Sequence, residues 1–276
     1  MIEKVKEQVQ ILLSEGKIAG FLGLRDDDGV VTPFLFQKPE NVDASFSLGD
    51  LGDEPGAARY PMAKLAMRLL QNSQDDSIYG VLVRGCDERA LNELKRWNQL
   101  GPTDRLIKVG LACPEALAKD HQCRKPFPDE FVAGQKAAAQ PNDLVKEVLA
   151  KDLDSRLSYW LGEFNRCIKC YGCRDICPVC FCNICTLGDD TLIRTGDLPP
   201  ENPMFHLTRA VHMAGRCIDC NLCTEACPAD IPLRTLYKRV AEIITEEFGY
   251  VTGETGEGKS PLNILGPEPG HTSAND

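Results

Sequence analysis

Long apolar runs are missing from this chain. The longest, such as IYGVLV, extend over about five or six residues, whereas a membrane-spanning helix needs about 20. No membrane span is therefore expected. Basic charge is also scarce: 31 Lys and Arg stand against 41 Asp and Glu, a net charge of −10. So acidic a chain is poorly matched to a phosphate backbone, which argues against nucleic acid as a partner. The first residues, MIEKVKEQVQILLSEG, are charged and amphipathic and lack the apolar core of a secretory leader, so the chain reads as cytoplasmic. Histidines number only 4, and no Ser/His/Asp or Cys/His constellation is set out by spacing. No G-x-G-x-x-G follows a predicted strand. The segment GETGEGKS at 253–260 fits the phosphate-loop pattern, but no buried strand leads into it and Pro261 follows at once, so it reads as a chance match.

Cysteine, by contrast, is plentiful: 14 of 276 residues, in a chain whose 43% hydrophobic and 26% charged content is otherwise that of a globular protein. Reduced thiols that cluster in a cytoplasmic chain favour metal over disulfide. Eleven of the fourteen lie between Cys167 and Cys227. Two segments repeat one arrangement, Cys167-x2-Cys170-x2-Cys173-x3-Cys177-Pro178 and Cys217-x2-Cys220-x2-Cys223-x3-Cys227-Pro228. This is the ferredoxin spacing for [4Fe–4S] clusters: three thiolates at short gaps wrap one cubane, and the fourth ligates the other cluster. The expected sets are Cys167, Cys170, Cys173 and Cys227 for one cluster, and Cys217, Cys220, Cys223 and Cys177 for the second. Structural zinc normally uses paired C-x2-C, without a Pro-marked fourth cysteine.

Ahead of the cysteines the pattern is α/β. Residues 2–15 carry apolar positions at helical spacing, and two strand-like runs flank the hairpin signal Asp28-Gly29, with Pro33 placing the second at an edge. Residues 37–59 read as loop. Pro61 opens a helix. IYGVLV (78–83), a helix capped by Asp87, and RLIKVGLA (105–112) form a βαβ unit. The expected division is an α/β domain at 1–135, a helical linker at 136–160, a ferredoxin-like domain with two or three clusters at 161–250, and an extended tail at 251–276. From Asn142 to Arg166 the pattern suggests one long helix, and the tail is too poor in apolar residues to form a core, leaving it disordered or strapped across a partner.

Between the motifs lie Cys180, Cys182 and Cys185. Two readings stay open: semi-buried core thiols, or three ligands of a third [4Fe–4S] cluster whose fourth comes from Cys86, Cys113 or Cys123. Cys86 and Cys113 both follow predicted parallel strands at their carboxyl ends, where open α/β sheets place their sites. His206 and His212 read as surface or cluster-shell residues on different helix faces. Tyr171, Phe181 and Phe205 read as packing that could shield a cubane. Arg166, Lys169, Arg174, Arg216 and Arg234 border the cysteines, where cations would raise cluster potentials.

Two resemblances add to this. VLVRGCDERALNELKRWNQL…RLIKVGLAC, with Gly85-Cys86-Asp87, Arg89-Ala90-Leu91 and Cys113, resembles the beta subunits of deazaflavin-dependent hydrogenases and formate dehydrogenases, although the order of the two parts is reversed here. HLTRAVHMAGRCIDCNLCTEACPADIPLRTLYKR resembles the iron–sulfur subunits of heterodisulfide-reductase-type and sulfhydrogenase-like complexes, and the 39 residues between Cys177 and Cys217 suit an α-helical ferredoxin fold. Together they imply an iron–sulfur electron-transfer subunit with two [4Fe–4S] clusters, working with other redox subunits: a flavoprotein, hydrogenase, dehydrogenase or heterodisulfide-reductase-like partner. Flavin is expected on a partner. The alternatives are a flavin-binding catalytic beta-type subunit and an iron–sulfur redox sensor.

Overall fold

Alternation and helical periodicity in the first 110 residues build an α/β unit in the computed structural model, which describes residues 1–51, 59–102, 105–188, 202–254 and 259–264. The elements run α1 (Ile2–Ser14), β1 (Gly20–Asp27), β2 (Val30–Phe36), α2 (Pro39–Ser45), β3 (Phe46–Ser47), α3 (Met62–Asn72), β4 (Tyr79–Val83), α4 (Gly85–Arg96), β5 (Leu106–Gly110) and α5 (Glu115–Asp120). The sheet order is β2-β1-β4-β5, with β3 also on β1. β1 and β2 are antiparallel through a turn at Asp28 (φ 53°) and Gly29 (φ 84°), the left-handed pair a type I′ hairpin requires. Pro33 stands on edge strand β2, where its missing N–H costs no ladder bond. β1, β4 and β5 run parallel.

Each sheet face buries its own core. Val5, Val9 and Leu12 of α1 and Val42 of α2 cover one face with Phe21, Phe36 and Phe46. Residues 37–59 are thus not all loop: Pro39 opens α2, and Val42 is fully buried. On the other face α3 and α4 pack against Val81 and Val83, and this core continues into Cys173, Cys177, Val179 and Tyr237 of the cysteine-rich part. One apolar core therefore joins the two parts.

Beyond the sheet follow α6 (Asp143–Leu149), α7 (Leu153–Asn165), α8 (Gly172–Asp175), α9 (Asn202–Met213), α10 (Leu222–Glu225) and α11 (Leu233–Phe248), with no further strand named among the described residues. The helix expected from Asn142 to Arg166 is broken in two, because the Asp152 carboxylate accepts from Ser155 N at 2.9 Å and starts α7 afresh. No helix among the described residues is long and apolar enough to cross a membrane.

The stretch after α11 straps the chain's own α4. Tyr250 donates its hydroxyl to Glu93 at 3.0 Å, Gly253 N donates to the same carboxylate at 3.2 Å, and Asn92 donates to Gly253 O at 3.1 Å. Gly253 has φ +76°, with Arg89 O only 2.6 Å from where a Cβ would stand. Within GETGEGKS, Gly253 packs on α4 and Ser260 is buried against Gly215, while residues 255–258 lie outside the described residues.

Candidate functional site: two four-thiol cavities

Both cysteine motifs fold the same way because their spacing forces a tight curl. Lys169 (φ 55°) and Tyr171 (φ 61°) in the first, and Asp219 (φ 59°) and Asn221 (φ 70°) in the second, take left-handed backbone at matching positions. None is glycine, so the two loops hold conformations that cost free energy elsewhere. Each curl turns three thiols inward and feeds a four-residue helix, α8 or α10, whose end delivers the fourth cysteine.

The fourth thiols are exchanged. One cavity, with about 320 Å³ of atom-free space, is lined by Cys167, Cys170 and Cys173 of the first motif and Cys227 of the second. The other, about 350 Å³, is lined by Cys217, Cys220 and Cys223 of the second motif and Cys177 of the first. All fourteen thiols are free. Among the described residues no three Cys, His or carboxylate side chains close on a point as they would around a single metal ion.

Burial dominates the electrostatics of Cys173, Cys217, Cys220 and Cys223. It pushes Cys173 and Cys217 up to about 11 and Cys220 up to about 12, and Cys223 rises well above the ordinary thiol value. Backbone amides oppose it: Lys169 N donates to Cys167 Sγ at 3.3 Å, Asp219 N to Cys217, and Leu222 N to Cys220. Cys177 hydrogen-bonds Cys180, which holds Cys177 protonated and Cys180 far below the usual thiol range.

Several residues bordering the cavities were not legible in the motifs. Arg209 is 2% exposed, donates to Cys173 O at 2.7 Å and to Cys180 Sγ at 3.2 Å, and lies over the Tyr237 ring. His206 is fully buried, stacks on Phe164 with centroids 4.6 Å apart, lines the Cys167 cavity, and has no partner for either ring nitrogen. Burial, then Arg209, lowers its pKa to about 4. Arg59 donates to Cys220 O at 2.7 Å and pairs with Glu225, while Arg89 donates to Ile218 O at 3.1 Å, so cations of the α/β part clamp the second motif. Of the expected cations, Arg234 pairs with Asp219 beside Cys220, and Arg216 lies 3.8 Å above the Trp97 ring. Tyr171 and Phe205 meet edge-on at 5.5 Å on the wall of the Cys167 cavity, and Phe181 packs on Trp97.

Cys180, Cys182 and Cys185 share an open cleft between α3 and α9, with His212 also on its wall. Cys86 and Cys113 do not line it. They group with Cys123 under the second motif: burial, then the neighbouring Cys86, pushes Cys123 up to about 11, Cys220 up to about 12, and Cys113 higher still. The N-terminus of α4 is no open anion site either. Lys125 O and Phe127 N would lie 2.4 and 2.7 Å from a Cβ on Gly85, so the chain itself covers it. Asp87 is the third helical residue and not the cap. Its carboxylate accepts from Arg84 N at 3.1 Å.

No protein-family model matches the chain. Over 113 residues it is 42% identical to the F420-dependent formate dehydrogenase subunit beta of Methanocaldococcus jannaschii, covering 40% of this chain and 30% of that protein. Over 103 residues it is 43% identical to the F420-dependent formate dehydrogenase 1 subunit beta of Methanococcus maripaludis, covering 37% of this chain and 26% of that one. The match thus spans under a third of the curated relatives' length. With an α/β part, a helical cysteine-rich part and this identity, the chain resembles formate dehydrogenase beta subunits over part of its length.

Proposed function

We propose that the chain is an iron–sulfur electron-transfer subunit of a multi-subunit oxidoreductase of the formate dehydrogenase kind, with one [4Fe–4S] cluster in each four-thiol cavity. The observation that carries this reading is the exchange of Cys177 and Cys227 between the two motifs, which gives each gap four thiols. The donor set fits: four cysteines with amide donors to sulfur are the surroundings of a low-potential cubane. When bound, such clusters supply one-electron transfer and leave no iron open to substrate.

The chain's own residues do the rest. Phe205, Tyr171 and Ile231 keep water from the first cavity, and Val179, Ile218 and Tyr237 from the second. Arg209 places a permanent cation between the two. Partner subunits are supported by apolar residues left uncovered on α7 and α9, Leu157, Leu207 and Val211, and by the exposed Ile168 on the wall of the first cavity beside the exposed Cys170. In this reading the α/β unit spans 1–135, the helical connector 136–160 and the cluster unit 161–250, with the tail at 251–276.

Anaerobic purification should yield a chain without flavin absorbance whose clusters take up electrons singly and give them to copurifying partner subunits. The relatives' names, F420-dependent beta subunits, favour a second reading, a flavin-binding catalytic subunit. A flavin-loaded chain that reduces F420 unaided would establish that reading and end the relay.

A further inference from the structure

Three thiols remain outside the two cavities and outside the α/β group. Cys180, Cys182 and Cys185 sit on one loop, and all three line the cleft between α3 and α9. Cys182 is exposed and Ile184 is 90% exposed, while Cys180 and Cys185 are half-buried against the core. The cleft holds about 1500 Å³ of atom-free space, against about 350 and 320 Å³ in the buried cavities.

Its charge is opposite to that of the chain. Lys64, Arg68, Arg174, Arg209 and Arg216 line it, and Asp175 is the one carboxylate on the wall among the described residues. Two of these cations already address sulfur: Arg209 Nη1 donates to Cys180 Sγ at 3.2 Å, and Arg174 hydrogen-bonds Cys185. Five cations around three thiols, in a protein of net charge −10, are suited to a bulky anionic group and would repel a bare metal cation. His212 is the only imidazole on this wall among the described residues, and no further cysteine lines it.

We propose that Cys180, Cys182, Cys185 and His212 hold a third [4Fe–4S] cluster in this cleft, an inference that rests on the iron–sulfur reading above. The group would be held by the thiolates of Cys180, Cys182 and Cys185, any proton they carry passing to solvent, and by the neutral imidazole of His212. An imidazole in place of a thiolate leaves the cluster less negative, which places its potential above those of the all-cysteine cubanes. Held there, the group would supply a one-electron site that faces the open cleft, within reach of a partner.

Metal analysis and a redox titration followed by EPR, on the anaerobically isolated chain, test this. The wild type should carry about twelve irons and Cys182→Ala about eight, with the signals of the two motif cubanes unchanged. His212→Cys should keep the full iron content and move only the highest-potential signal downward. Because Cys182 is exposed, its replacement does not threaten the fold, and the wild-type iron count tests the proposal independently of any variant. About eight irons in the wild type, with or without one zinc that Cys182→Ala releases, overturns the third cluster and leaves the two-cluster reading standing. An iron-free wild type overturns both. Unchanged potentials in His212→Cys overturn the imidazole ligand.

Discussion

The guanidinium of Arg209 lies 3.2 Å from the sulfur of Cys180, and its second terminal nitrogen reaches Cys173 O at 2.7 Å. One buried cation thus touches the first motif and the loop beyond it while lining the cavity of the second. Removing it would strip positive charge from beside both proposed clusters. At an effective dielectric near 20, a charge about 6 Å away is worth about 3 kcal/mol, or roughly 100 mV for one electron. Arg209→Met should lower both motif potentials by that order, and Arg209→Lys by less. A potentiometric titration that finds both unmoved removes Arg209 from the account.

The exchange of fourth thiols makes a sharp prediction of which variants pair. Cys227→Ala should abolish the same EPR signal as Cys170→Ala, and Cys177→Ala the same signal as Cys220→Ala, each with loss of about four irons. If Cys177→Ala matches Cys170→Ala instead, each motif closes on itself.

His206 offers the buried Cys167 cavity a ring nitrogen with no other partner. An N–H donated to sulfur stabilises the reduced cluster. His206→Phe keeps the stack on Phe164 but deletes the donor. It should leave iron content intact and lower the potential of the Cys170-dependent signal alone, by less than Arg209→Met does.

Glu93 anchors the strap after α11. It is fully buried and pairs with Arg96 at 2.6 Å, and Trp97 Nε1 donates to it at 2.9 Å beside the bonds from Tyr250 and Gly253. Glu93→Ala removes the buried carboxylate that Arg96, Trp97, Tyr250 and Gly253 share, while Arg96 keeps its bond to the Tyr250 hydroxyl, and breaking such a buried ion pair costs about 3–5 kcal/mol. Thermal denaturation under anaerobic conditions should show a fall of roughly 6–12 °C or more. A shift within a degree or two means the strap contributes no stability.

These predictions draw unequally on what the sequence reveals. The eight motif thiols were legible because C-x2-C-x2-C-x3-C-P is local: its spacing alone fixes a curl and a short helix. The strands and the hairpin at Asp28-Gly29 were legible for the same reason. Arg209 was not, since a charged residue on a helix of ordinary periodicity looks solvated until the partner that buries it is known, and for His206 the sequence left surface and cluster shell open. The exposed apolar residues of α9 point away from the core, so its composition hid which face was covered. The strap was hidden because Tyr250 and Gly253 find their partners some 150 residues upstream, at Glu93. The break between α6 and α7 turned on one cap, Asp152, within an otherwise continuous helical pattern.

The most direct test of the paired-cubane account is the Mössbauer spectrum and metal content of the anaerobically isolated Cys182→Ala chain, in which only the two motif sites remain. The account predicts about eight irons per chain, all in quadrupole doublets of all-cysteine [4Fe–4S] clusters, and no zinc. A folded, colourless chain with zinc at these cysteines would contradict it.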